Sequence, residues 1–350
     1  FIDVIAWNGL ISGYVYHDQN IEALRLMEEM QKSGVSPNVM TFASILKACT
    51  RMDSALYGRF MHDESIRCSF ETNELVVNGL IDMYANFGCL KEALDLFDRL
   101  RRPNLIIWNA MINGCVQHDE GLIALELFEK MHIEGICADH VTYVCALQAC
   151  TSIGSVALGR MIHDHILRDG LETYTSVGTT LVNMYASCGS LKEAHILLDM
   201  LPARDVVSWS ALIGGYAYSG HYNHVVRCLK DMVRDGIEPD GPMYYSILVA
   251  CCHSGQVEEG YRHFKCMRDK YGLLPTLDHF HCMASLLSGA GQLDECKKLL
   301  ETMPNAAEMC DWVSLLNACK THKSVEVGRE CFAQILIKSP SALEYCHTFS

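Results

Sequence analysis

The residues best able to do chemistry are histidines set beside acids and cysteines. His62-Asp63-Glu64 and His118-Asp119-Glu120 each supply a His-x-Glu, the half-motif that zinc nucleobase deaminases use for a metal ligand and a general acid–base. The matching Pro-Cys-x-x-Cys does not occur, so neither pattern completes a zinc site. His62 returns 101 residues on as His163, but Glu64 is replaced there by His165. A catalytic pair would not half-repeat, so a structural role is expected. His279, His281 and Cys282 resemble a metal cluster in composition, yet i and i+2 on a helix point to different faces; His163 and His165 fail for the same reason. No Walker loop, Gly-x-Gly-x-x-Gly or Gly-x-Ser-x-Gly occurs. The expectation is no catalytic constellation, no metal, no cofactor and no small-molecule substrate.

The elements that carry these residues follow from composition and period. Half of the 350 residues are hydrophobic, which marks a folded chain. No run of apolar residues is long enough to span a membrane. The 18 cysteines fall mostly within apolar helical patterns, where free cysteine packs as a small hydrophobe, so a reducing compartment is expected. The formal net charge of −14 does not favour polyphosphate partners. The chain opens without an initiator methionine or transit peptide, and is taken as a fragment whose first residues, 1–3, end an upstream repeat.

Internal repetition is the strongest signal. Trp7, Trp108 and Trp209 recur at an interval of 101 residues, as do Gly13, Gly114 and Gly215, then Cys49, Cys150 and Cys251, and Gly58, Gly159 and Gly260. Met83-Tyr84-Ala85 returns as Met184-Tyr185-Ala186. The block subdivides into three kinds of unit. Residues 4–38, 105–139 and 206–240 are the first, 39–73, 140–174 and 241–276 the second, and 74–104, 175–205 and 277–308 the third. Each reads as two helices. Trp7, Leu10, Ile11 and Tyr14 follow i, i+3, i+4, i+7, and Trp108, Met111, Ile112 and Cys115 repeat the series. Ala23, Leu24, Met27 and Met30 mark a second helix, and Gly34, Gly135 and Gly236 stand where such helices want a left-handed cap. All eight prolines (37, 103, 202, 239, 242, 275, 304, 340) lie at or near unit junctions. The tryptophans and methionines are expected in the core. The fold class expected is all-α, a right-handed superhelical solenoid of stacked helix-turn-helix repeats, each burying its apolar face on its neighbours.

At these residues the chain resembles the plant pentatricopeptide repeat family, in the subclass that alternates standard, long and short motifs. Val206-Val207-Ser208-Trp209-Ser210-Ala211-Leu212-Ile213 is similar to a standard motif, Leu181-Val182-Asn183-Met184-Tyr185-Ala186-Ser187-Cys188-Gly189 to a short one, and Gly159-Arg160-Met161-Ile162-His163 to the second helix of a long one. Residues 277–308 resemble the variant short motif that closes such arrays. Residues 309–342 resemble a first extension motif, and 343–350 the truncated start of a second. The resemblance implies a sequence-specific adaptor for single-stranded RNA in mitochondria or chloroplasts, mitochondria slightly favoured, with site recognition for C-to-U editing as its role. It further implies editing cofactor proteins and a deaminase domain in cis or in trans.

The family reads bases through the fifth and last residues of each motif. These map to Asn8 with Asn38, Ala43 with Asn73, Asn78 with Asn104, Asn109 with Asp139, Val144 with Tyr174, Thr179 with Asp205, and Ser210 with Asp240. A carboxylate only accepts, which suits the ring N–H of U or G, while an amide both donates and accepts. By the resemblance, Asn at the fifth place goes with pyrimidines and Thr or Ser with purines, which implies the order pyrimidine, any, pyrimidine, U, any, G, then more weakly G, from 5′ to 3′. The same Asp and Asn residues precede helices, where they also serve as N-caps, so the two roles compete for the same oxygens. The family's Lys at the thirteenth place is replaced by Tyr16, Gln117, Tyr218, Asn86 and Ser187, and only Arg51 keeps a charge there. Two alternatives stand beside the editing adaptor: a helical-repeat scaffold for protein partners, and the non-catalytic part of an editing deaminase cut before its catalytic domain.

Overall fold

The computed structural model describes residues 3–52, 54–303 and 309–338; Phe1, Ile2, Pro304, Pro340 and the stretch 339–350 of the expected extension motifs lie outside them. The described residues form twenty α-helices and no strand. They fall into two compact units divided after Thr180.

The first unit holds α1 (Val4–Tyr16), α2 (Asn20–Lys32), α3 (Val39–Arg51), α4 (Ala55–Arg67), α5 (Glu74–Asn86), α6 (Leu90–Asp98), α7 (Leu105–Gln117), α8 (Gly121–Ile133), α9 (His140–Ile153), α10 (Val156–Asp169) and the start of α11 (Thr175–Ser187). The second unit continues through α12 (Leu191–Met200), α13 (Val206–Tyr218), α14 (Tyr222–Arg234), α15 (Gly241–Ser254), α16 (Val257–Asp269), α17 (Leu277–Gly289), α18 (Leu293–Glu301), α19 (Met309–His322) and α20 (Val325–Lys338).

Two layers arise within the first unit. The odd-numbered helices α1, α3, α5, α7 and α9 pack against one another in succession. Each even-numbered helix from α2 to α8 wedges between its own partner and the next odd-numbered helix. In the second unit α13, α15, α17 and α19 form the same inner series. The inner helices are therefore apolar on two sides. Trp108, Met111, Ile112 and Cys115 of α7 are completely buried, and Trp108 meets Phe97 edge-on at 4.6 Å between ring centroids. Burial of a side chain of this size stabilises by roughly 1.5–3 kcal/mol. The same series in α1 is split: Trp7 and Ile11 are buried, but Leu10 is exposed and Tyr14 half-buried.

The repeated glycines have two different causes. Gly34, Gly135 and Gly236 take φ of 77°, 76° and 80° just past α2, α8 and α14, the left-handed conformation that stops a helix at little cost only in glycine. Gly114 instead lies inside α7, where a Cβ would stand 2.5 Å from the Cβ of Ala85 on α5. Its missing side chain sets how closely two inner helices approach. Pro242 lies inside the first turn of α15, where its lacking N–H costs no helical bond.

Candidate functional site

The last residue of one repeat and the first turn of the next inner helix form one local structure. Asn38, Asn73, Asn104, Asp139, Asp205 and Asp240 all accept a hydrogen bond from a backbone N–H within the first turn that follows, at Thr41, Leu75, Ile107, Thr142, Ser208 and Met243. Each cap bond uses Oδ1, which leaves the second carboxylate oxygen of an Asp, or the amide nitrogen of an Asn, for another partner.

In two repeats the fifth residue reaches this cap. Asn8 of α1 donates from Nδ2 to Asn38 Oδ1 at 3.0 Å, and Asn109 of α7 donates to Asp139 Oδ1 at 3.2 Å. The Thr41 and Thr142 hydroxyls donate to Asn8 Oδ1 and Asn109 Oδ1, both at 2.6 Å. All four paired side chains are half-buried. Burial alone would push the Asp139 carboxyl up, but bonds from the Thr142 N–H and hydroxyl and the Asn109 amide outweigh it and hold the group below its ordinary 3.8. Asp139 is an anion at neutral pH.

The remaining positions differ. Asn78 is half-buried on α5, and its Oδ1 is buried without a hydrogen-bond partner. Thr179 on α11 likewise has a buried hydroxyl without a partner. Ser210 on α13 is half-buried, and Asp205 and Asn104 are exposed. Val144 is half-buried, and Tyr174 stacks on His140 at 5.0 Å with the rings 5° from parallel.

A second row of residues escaped the sequence reading. The second residue of each of six inner helices, Ile5, Met40, Leu75, Ile106, Val141 and Val207, is large, apolar and exposed. Their signal was available: they stand outside the i, i+3, i+4, i+7 series of their own helices, so no core position accounts for them.

The side chains that suggested catalysis are engaged elsewhere. His62 Nδ1 meets the Tyr84 hydroxyl at 2.9 Å, and Glu64 pairs with Arg67 at 2.5 Å. His118 Nε2 reaches the Asn86 carbonyl at 3.1 Å. His279 closes a capping box with Thr276 and contacts the Gly241 carbonyl at 2.9 Å, whereas His281 Nε2 stands 3.0 Å from Asp311 Oδ1. Among the described residues no three His, Cys, Asp or Glu side chains converge on a point a metal could occupy. Arg51, the one thirteenth-place charge, is spent within the protein: its Nη1 donates to the Val15 carbonyl and to Asp18, the latter at 2.7 Å.

Paired helices stacked in series, with polar caps at the starts of successive inner helices, define an all-α helical-repeat protein that presents a periodic row of side chains. The chain belongs to the pentatricopeptide repeat family: the PPR repeat family profile matches residues 2–51 and 103–152, a PPR repeat profile matches 76–105 and 207–237, and the pentatricopeptide repeat domain profile matches 227–289. It is 35% identical over 93% of its length to the pentatricopeptide repeat-containing protein At2g33680 of Arabidopsis thaliana, covering 45% of that protein. It is 33% identical over 97% of its length to the putative mitochondrial pentatricopeptide repeat-containing protein At3g11460 of the same plant, covering 55%. The chain thus spans about half the length of the relatives it matches. Its fold is similar to that of the pentatricopeptide repeat protein PPR10 in complex with an 18-nt psaJ RNA element, with a TM-score of 0.83, 18% identity, and coverage of 100% of this chain and 55% of that one. The crystal structure of PPR10 from maize also matches, with a TM-score of 0.72 and 17% identity, over 96% of this chain and 54% of that one.

Proposed function

We propose that the chain binds single-stranded RNA sequence-specifically, reading successive bases through its fifth and last residues. The observation that carries this reading is the Asn109–Asp139 pair. Its internal bonds occupy Asn109 Oδ1, one Nδ2 hydrogen and Asp139 Oδ1. What remains is an N–H donor beside a carboxylate acceptor, which complements the O4 and N3–H of uracil. At Asn8 and Asn38 the remaining groups are amide N–H donors, which suit a pyrimidine. In the first unit the exposed residues Ile5, Met40, Leu75, Ile106 and Val141 offer apolar surface for the faces of unstacked bases.

The units 4–38 through 277–308 are read as nine repeats, with the first extension motif from 309. On this reading the protein is a site-recognition factor for C-to-U editing in mitochondria or chloroplasts, with editing partners and a deaminase domain in cis or in trans. The chain itself is the non-catalytic binding part. Several relatives carry the word mitochondrial in their names, which supports the organelle.

A net charge of −14 and the engagement of Arg51 disfavour attraction to a phosphate backbone. They favour a second reading, a scaffold for protein partners. One experiment separates the two. The purified chain is titrated with a short RNA of the expected base order and with a scrambled control at two salt concentrations. Preference for the ordered RNA that persists as salt rises supports base-edge recognition, because phosphate contacts weaken steeply with salt. Absence of binding at low salt by folded protein favours the scaffold.

A further inference from the structure

Thr41 and Thr142 hold the third place of α3 and α9, and neither exposes any surface. Both complete capping boxes: the Asn38 N–H donates to Thr41 Oγ1 at 3.1 Å, and the Asp139 N–H to Thr142 Oγ1 at 3.2 Å. Having accepted a backbone hydrogen bond, each hydroxyl turns its own hydrogen toward an acceptor. The nearest lies on the preceding inner helix, at Asn8 Oδ1 for Thr41 and Asn109 Oδ1 for Thr142, 2.6 Å in each case, closer than the cap oxygens Asn38 Oδ1 at 3.1 Å and Asp139 Oδ1 at 2.9 Å. That bond fixes which edge of the amide faces the cap. Nδ2 must then point at Asn38 Oδ1 or Asp139 Oδ1, where the 3.0 and 3.2 Å bonds are found. The flipped amide would set its carbonyl oxygen against the amide oxygen of Asn38 or the carboxylate oxygen of Asp139 with no hydrogen between them.

Repeats without a threonine there lack the arrangement. The third residue of α7 is Ile107, and Asn78, at the fifth place of the preceding unit, has a buried Oδ1 with no partner. In α13 the hydroxyl of Ser208 donates to the Asp205 carbonyl of its own cap at 3.0 Å. In α15 the place is taken by Met243, which has no donor.

We infer that Thr41 and Thr142 are positioning residues for base recognition, each locking the fifth-position amide of the preceding repeat with its donor edge toward the ligand. The inference rests on the proposed reading of bases by these pairs. A free amide could present either edge and so accept either uracil or cytosine. A locked one beside Asp139 presents only the donor–acceptor order that uracil completes.

The test uses the whole chain and four single-stranded RNAs of the expected order that differ only at the base facing Asn109. Wild type should prefer U. Thr142→Val should reduce the U-over-C ratio about three- to tenfold, the worth of one net hydrogen bond, while Thr142→Ser keeps it. A loss of packing alone would lower affinity for all four RNAs together and leave the ratio unmoved. Asp139→Asn is the companion variant. If it shifts preference from U toward C while Thr142→Val leaves the ratio unchanged, the positioning role is overturned and base reading stands. If no protein distinguishes the four RNAs, base reading falls and the inference falls with it. Should Thr142→Val melt before binding can be measured, Ile107→Thr asks the same question in reverse. A hydroxyl placed beside Asn78 Oδ1 should sharpen pyrimidine preference at that base, and an unchanged preference would overturn the inference.

Discussion

Asn109 and Asp139 stand 30 residues apart in the chain, on α7 and at the cap of α9, and are joined by a 3.2 Å hydrogen bond. One pair therefore belongs to two successive inner helices at once. Its chemistry is set by the stacking of one repeat on the next, so the Asp139 side chain serves recognition and helix start together.

Asp139→Asn separates those two roles. The amide still caps α9 through its oxygen, so the melting temperature should move little. The outward acceptor becomes a donor, so preference at that base should shift from U toward C by about 1–3 kcal/mol of discrimination. Fluorescence anisotropy with RNAs that differ at that base measures it, and unchanged preference contradicts the assignment.

Acid should destabilise the fold through buried histidines. Burial lowers the pKa of His62, His163 and His263 below the ordinary 6.5. The unfolded chain then binds protons that the folded chain refuses, so their contribution is full above pH 6.5 and lost as pH falls through the lowered values. Thermal melts across this range should show stability falling with pH, and His62→Gln with His263→Gln should flatten the slope.

Gly114→Ala should lower stability by about 1–3 kcal/mol, the usual cost of overpacking. The added methyl would meet Ala85 Cβ at 2.5 Å and its backbone at 3.1 Å, and backbone cannot step aside as a flexible side chain can. Gly9→Ala is the control, since nothing lies within 4 Å of its Cβ position. Chemical denaturation measures both, and equal effects would contradict the close approach of α5 and α7.

Thiol labelling should divide the cysteines by burial. Desolvation pushes Cys49, Cys115 and Cys145 up to about 11 and Cys228 and Cys251 up to about 12, which leaves almost no thiolate at pH 8. Cys137 and Cys310 are exposed. Mass spectrometry after brief alkylation of the native protein should find these two modified first, with the buried five protected until unfolding.

Much of the fold was legible because stacking repeats force periodicity into the chain. The tryptophans at 7, 108 and 209 had to be core, and all three are. Gly34, Gly135 and Gly236 had to end helices, and their positive φ values follow. The candidate site was less legible. Asn8, Asn78 and Asn109 are the same residue type at the same place, yet Asn78 lacks the partners the other two have. The exposed apolar residues Ile5, Met40, Leu75, Ile106 and Val141 are chemically no different from core residues, and only their place outside the helical core series sets them apart.

What the sequence determined by itself is local and periodic: helices capped by Asn and Asp, stopped by glycine, and apolar on the faces that must pack. These depend on neighbours within a few residues, or on a spacing that recurs. Tertiary structure alone decided which polar atoms remain free. That depends on whether a threonine or an isoleucine, some thirty residues onward in the next repeat, arrives beside a given amide. Hydrogen-bond directionality then fixes the edge that amide can show.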